Sequence, residues 1–161
     1  MGDYAGAKAA IRQRLAANWT TTRITYQNTK PAAPWPPTDG AQPMPNFLPW
    51  VHLEIASSRS QMHGAGKPGS QVWVTDGLIL VHVFVPEGIG DALATQYANT
   101  IGEIFRAKVF YDSGDGCYVR TWAPRVDEGG PVKSDSDIEW ANTGVWFRVT
   151  MSVPFEYWHR G

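Results

Sequence analysis

The sequence predicts an α+β fold, a mainly antiparallel β-sheet with two α-helices packed on one face in the order α-β-β-β-α-β-β-β. Three observations carry this. From Gly144 to Trp158 the chain alternates, with Val145, Phe147, Val149, Met151, Val153 and Phe155 on one face, because strand side chains point to opposite sides with a period of two. Arg148, Thr150, Ser152 and Glu156 take the other face with Trp146 and Pro154. Leu93, Tyr97, Ile101 and Ile104/Phe105 instead recur at helical spacing. Between the amphipathic N-terminus and that helix, the apolar runs are short, β-branched and interrupted by Gly and Pro.

Taken in order, Asp3 to about Asn18 reads as an amphipathic helix with Tyr4, Ala7, Ile11 and Leu15 on one stripe and Asp3 as its N-cap. A short strand follows around Ile24 to Asn28. Seven of the twelve prolines then crowd into Pro31 to Pro49. Each removes a backbone donor and restricts its predecessor, so this stretch is an extended arm or loop, with Trp35 inside it. Trp50 to Ser57 alternates again, Val51, Leu53 and Ile55 facing one way and His52 and Glu54 the other. Ser57 to Ser70 is polar and Gly-rich and reads as a mobile loop bearing Arg59, His63 and Lys67. Val72 to Val85 is strand-like around Asp76-Gly77, a dipeptide that suits either a hairpin turn or a bulge within one long strand. Pro86 to Asp91 closes it and starts the helix Asp91 to Phe105. Lys108 to Tyr111 and Cys117 to Trp122 flank a Gly-rich turn as a hairpin, and a loop from Pro124 to Asp137 leads to the final strand.

At 161 residues the chain is expected to form one domain, 1–161. A formal net charge of −1 does not mark the surface as a polyanion binder. One cysteine, Cys117, excludes an internal disulfide and fits a reducing compartment. The Ala-rich start carries charges where a secretory signal would be apolar, and the longest apolar run, Gly77 to Val85, is short of the ~20 residues of a spanning helix. A cytosol-like setting without membrane is expected.

The candidate chemical sites are thin. Gly88-x-Gly90 before a helix invites an anion, but Asp91 stands where a phosphate would sit, and a turn with an Asp cap is the better account. His52 and Glu54 share a strand face that His82 can join across the sheet, yet a metal site needs three or four ligands with supporting hydrogen bonds. Asp127-Glu128 and Asp135, Asp137 and Glu139 lack the register of a calcium loop. No G-x-S-x-G occurs, so no enzyme and no cofactor are expected. Aromatic residues are in excess outside the expected core: Trp35, Trp50, Trp122, Trp140, Trp146 and Trp158. Collectively they favour assembly, since interface cores use such residues.

The N-terminal A-x-x-A-I-R-x-R-L helix, the proline-rich stretch, the run G-L-I-L-V-H-V-F-V-P-E-G-I-G-D-A-L-A and the closing V-W-F-R-V-T-M-S-V-P-F-E-Y strand resemble the tail terminator proteins of long-tailed bacteriophages. The most specific stretches are Leu78 to Phe105 and Val145 to Tyr157. The resemblance implies a structural virion protein: a homo-oligomeric ring, typically a hexamer, at the head-proximal end of the tail. There it stops growth of the major tail tube protein and offers a surface to the head–tail connector, with DNA only passing through the lumen. On this reading Trp73, Trp146, Arg148, Tyr157 and Trp158 are expected at the subunit interface. Trp35, Arg59, Met62, His63 and Lys67 are expected to face the tube or connector. Another neck or head-completion adaptor and a Trp-rich small-ligand module are the alternatives.

Overall fold

The computed structural model describes residues 2–132 and 145–161; Asp135, Asp137, Glu139 and Trp140 of the sequence reading lie outside them. The elements run α1 (Tyr4–Asn18), β1 (Arg23–Tyr26), β2 (Trp50–Met62), β3 (Val72–Pro86), α2 (Ala92–Phe105), β4 (Val109–Phe110), β5 (Tyr118–Thr121), β6 (Arg125–Val126), β7 (Gly130–Pro131) and β8 (Trp146–Arg160). The fold is α+β. One sheet has the order β1-β2-β3-β8-β5-β4, and β6 and β7 also pair with β8. All pairings are antiparallel except β1 with β2. Among the described residues no helix is long and apolar enough to cross a membrane.

The centre of the sheet is β2-β3-β8, and its register explains the alternation seen in the sequence. Val51, Val83 and Val149 stand side by side, as do Leu53, Val81 and Met151, and Ile55, Ile79 and Val153. These nine form the floor of the main core. Both helices lie on that face: Ala7, Ile11 and Leu15 of α1 and Ala94, Ala98, Ile101 and Phe105 of α2 are completely buried against it. Burial of each large side chain contributes about 1.5–3 kcal/mol. At the start of α1 the Asp3 carboxylate accepts the Gly6 N–H at 2.8 Å, the cap expected of that residue. Asp91 occupies the N-cap position of α2 but makes no side-chain cap bond; only its carbonyl is used, by Thr95 N–H at 2.9 Å.

Three segments differ from the sequence reading. Val72 to Pro86 is one continuous strand, and the irregularity falls on the partner strand, where Ser58 is the extra residue between the pairs Ser57↔Gly77 and Arg59↔Asp76. Ser57 to Met62 is not loop but the second half of β2, so the connecting loop begins only at His63. The alternation test missed it because both faces there are polar and exposed. The stretch after Trp122 likewise carries β6 and β7. From Thr121↔Phe155 to Arg125↔Ser152, and again from Val126↔Met151 to Gly130↔Arg148, four steps on one side meet three on β8. Two one-residue bulges thus let the segment follow almost the whole length of β8.

Candidate functional site

The helix-free face of the sheet holds most of the residues singled out in the sequence. Its chemistry divides along the strands into an aromatic end, a histidine centre and an exposed ribbon.

At the aromatic end Trp50 stacks on its cross-strand neighbour Phe84, with centroids 4.1 Å apart and planes at 11°. Trp146 meets Trp50 edge-on at 5.9 Å. The proline-rich arm folds back over them. Trp35 sits edge-on to Trp50 at 4.8 Å and Phe47 packs on Trp146 at 5.5 Å. The arm is tied down by the Arg23 guanidinium, which donates to the Pro34 and Ala32 carbonyls and lies 5.0 Å above the Trp35 ring. Its tip is organised by the Asp39 carboxylate, which accepts from Ala41 N–H, Asn46 N–H and the Asn46 side-chain amide at 2.9–3.0 Å. This is a second hydrophobic core, made of Trp50, Phe84, Val132 and Trp146, on the face opposite the helices. Trp50 and Trp146 are therefore interior residues of the subunit, completely buried. Their parity along the strand was readable, but the cover comes from the arm, which directly precedes Trp50 in sequence and lies far from Trp146. The indole N–H of each is buried without a hydrogen-bond partner among the described residues.

In the centre His52 and His82 are cross-strand neighbours with rings 6.2 Å apart. His52 Nδ1 shares a 2.7 Å hydrogen bond with the Thr25 hydroxyl. His82 is engaged at both nitrogens, by the Thr150 hydroxyl at 2.8 Å and the Glu54 carboxylate at 3.0 Å. The expected meeting of His52, Glu54 and His82 on one face is thus real. The group stitches β1, β2, β3 and β8 together, and buried polar groups that are satisfied in this way specify a register. Among the described residues no group of three or more His, Cys, Asp or Glu can hold a metal ion. Replacing His82 with alanine leaves Glu54 and Thr150 without their shared partner. The expected cost is about 1–3 kcal/mol in urea unfolding, and a change within error would mean that the ladder carries no stability.

Beyond this centre the second half of β2 runs on as the exposed edge of the sheet, a ribbon paired on one side with β3, which is itself paired with β8. Ser57 through Met62 are all exposed. Arg59 is paired with Asp76 at 3.2 Å, but at 67% exposure this is a surface pair of small worth. Trp158 lies between Tyr118, stacked at 5.9 Å, and His63, edge-on at 4.8 Å. Its indole N–H donates to Glu156 at 2.9 Å.

The residues expected at the subunit interface do not form one surface. Trp146 is buried under the arm, and Tyr157 is buried on the helix face, where its hydroxyl accepts the Asp3 N–H at 2.8 Å. Neither can present its side chain to a neighbour. Trp73, Arg148 and Trp158 are half-buried, with Arg148 and Trp158 near opposite ends of β8. Of the residues expected to face the tube or connector, Arg59, Met62, His63 and Lys67 share the ribbon and its loop and are exposed. Trp35 is separated from them by the length of β2, against Trp50.

Two features escaped the sequence reading. The exposed apolar residues Phe47 and Ile89 come together where the arm meets the turn before α2; an apolar M-P-N-F-L-P run inside a loop was the available signal. The second is a polar cleft of about 740 Å³ that includes Asp3, Tyr111, Cys117, Tyr157 and Arg160. Here the Gly6 N–H and then the Tyr111 hydroxyl, at 2.9 Å, hold the Asp3 carboxyl below its ordinary value of 3.8. The bond to Asp3 raises Tyr111 in turn. Asp39 is lowered likewise, first by the Ala41 N–H. A carboxyl lowered in the folded state stabilises it above the unfolded pKa, and this is lost as pH falls through the lowered folded value. The urea midpoint is therefore expected to drop as pH goes below 3.8, the ordinary value of both groups, with a shallower drop in Asp3→Asn. An equal slope in that variant would exclude Asp3 as a contributor.

No family model matches the chain and no curated protein matches it. Among solved structures, one whose name states no function has a TM-score of 0.61 at 19% identity, covering 96% of this chain and 95% of its own. At that identity the likeness speaks to the fold, and it extends over essentially the whole of both chains.

Proposed function

We propose that this protein is a tail terminator of a long-tailed phage or a phage-derived particle. It would assemble with itself into a ring, six-membered by the resemblance, that caps the major tail tube protein and receives the head connector. The observation that carries the reading is the ribbon. β1 covers the outer edge of β2 only from Trp50 to Leu53, and among the described residues no strand pairs with that edge from Ala56 to Met62. An open strand edge is a template for another chain, and a head-to-tail contact between unlike patches closes into a ring when its rotation permits. The pattern from Leu78 to Phe105 and from Val145 to Tyr157 supports the same reading, and the net charge of −1 suits a lumen that must pass DNA without gripping it. A Trp-rich ligand groove is the weaker alternative, because the arm itself fills the space over Trp50 and Trp146 with Trp35 and Phe47.

The test has two parts. Native mass spectrometry with negative-stain microscopy of the purified protein should show closed rings of a single size. A tagged copy in tailed particles should then label the head-proximal end of the tail. A monomer at high concentration together with unlabelled particles would overturn the proposal; label elsewhere at the neck would reassign the protein to an adaptor.

A further inference from the structure

Contiguous exposed apolar surface marks contact sites; such a groove lies at one end of β3 and a single exposed methionine at the other. The groove, of about 480 Å³, lies between the arm and the turn before α2 and is walled by Pro45, Phe47, Pro49, Pro86, Ile89 and Leu93. Ile89 is 57% exposed there. The methionine is Met62, 48% exposed at the tip of the ribbon, the end of β2. The charges around the two are opposite. Residues 57–71 at the tip contain Arg59, His63 and Lys67 and no acid, whereas residues 31–49 and 86–95 around the groove contain Asp39, Glu87 and Asp91 and no Lys or Arg. With Arg59 already held by Asp76, Lys67 is the cation most available to a partner.

We propose that the groove of one copy receives the ribbon tip of the next, with the Met62 side chain against Ile89 and Lys67 beside Glu87 and Asp91. The occupant is a second copy because an exposed apolar side chain with basic neighbours and an apolar groove with acidic neighbours are both present on this chain but out of each other's reach. The fifteen residues of β3 separate the two sites by about 45 Å. A contact between unlike ends is heterologous, and propagates from copy to copy until it closes. The inference rests on the ring reading above and names the surfaces that would build it.

The test is site-directed crosslinking. In a Cys117→Ser background, Met62→Cys and Ile89→Cys are placed in the same chain and oxidised. A disulfide needs Cα atoms within about 7 Å, so any bond between these positions must join two copies. The expected result is a non-reducing ladder of multimers ending at the ring's subunit number, with each single-cysteine variant giving at most a dimer. A second measurement does not depend on those cysteines. Lys67→Glu should weaken assembly on the order of tenfold, and Glu87→Lys with Asp91→Lys in the same chain should restore it. Rings that form without the ladder, or a charge reversal without rescue, would overturn this inference and leave the ring reading standing. A wild-type chain that stays monomeric at high concentration would overturn this inference, and together with unlabelled particles it would overturn the ring reading as well.

Discussion

Trp146→Ala is expected to destabilise the isolated subunit by about 3–5 kcal/mol, lowering its urea midpoint at any protein concentration. The resemblance to tail terminators places this residue at a subunit interface, where the same substitution would weaken a ring and leave the monomer intact. The structure removes that option. Trp146 is fully buried between Trp50 and Phe47, so truncation opens a cavity that Val132 and the arm cannot fill without moving. Trp146→Phe serves as the control. It keeps most of the ring volume and deletes an indole N–H that has no partner among the described residues, so its cost is expected to be well below that of alanine. A monomer of unchanged midpoint with a weakened assembly would restore the interface role and show that the arm is not seated on this residue in solution.

The same residue shows what a sequence can disclose and what it cannot. Period-two alternation assigned Val149, Met151, Val153 and Phe155 to one face and Trp146 to the other, and all five lie on those faces, because the pleat enforces parity whatever the tertiary context. Burial on the second face was out of reach. It depends on a proline-rich segment whose exclusion from helix and central strand was legible but whose docking partner was not, since proline restricts local geometry and says nothing of a distant surface. The exposed half of β2 was lost for the converse reason. Ser57 to Met62 has no buried face, so nothing in its polarity distinguishes strand from loop, and only its pairing with β3 makes it one. The His52–His82–Glu54 group was legible because three strand positions of equal parity meet if the register permits, and it does.

Gly77→Val is expected to cost about 3 kcal/mol or more, and the reason shows why Asp76-Gly77, open in the sequence between a hairpin turn and a bulge, lies within one continuous strand. Gly77 lies in the interior of β3, paired with Ser57 on one side and Phe155 on the other. A Cβ on Gly77 would come within 2.5 Å of the Ala56 carbonyl oxygen and 2.6 Å of the Phe155 ring. The glycine is there because two neighbours approach closely, one of them backbone that cannot rotate away. Phe155 is buried in the main core, so it cannot swing out without opening a void beneath the helices. Phe155→Leu should relieve only the side-chain part of the clash. The double variant is therefore expected to lose less than the sum of the two single losses, yet remain less stable than Phe155→Leu alone. Strict additivity in urea unfolding would show that the ring is not what confines position 77. Full rescue would show that the Ala56 carbonyl yields, and with it the adjoining bulge at Ser58, from which the exposed ribbon departs.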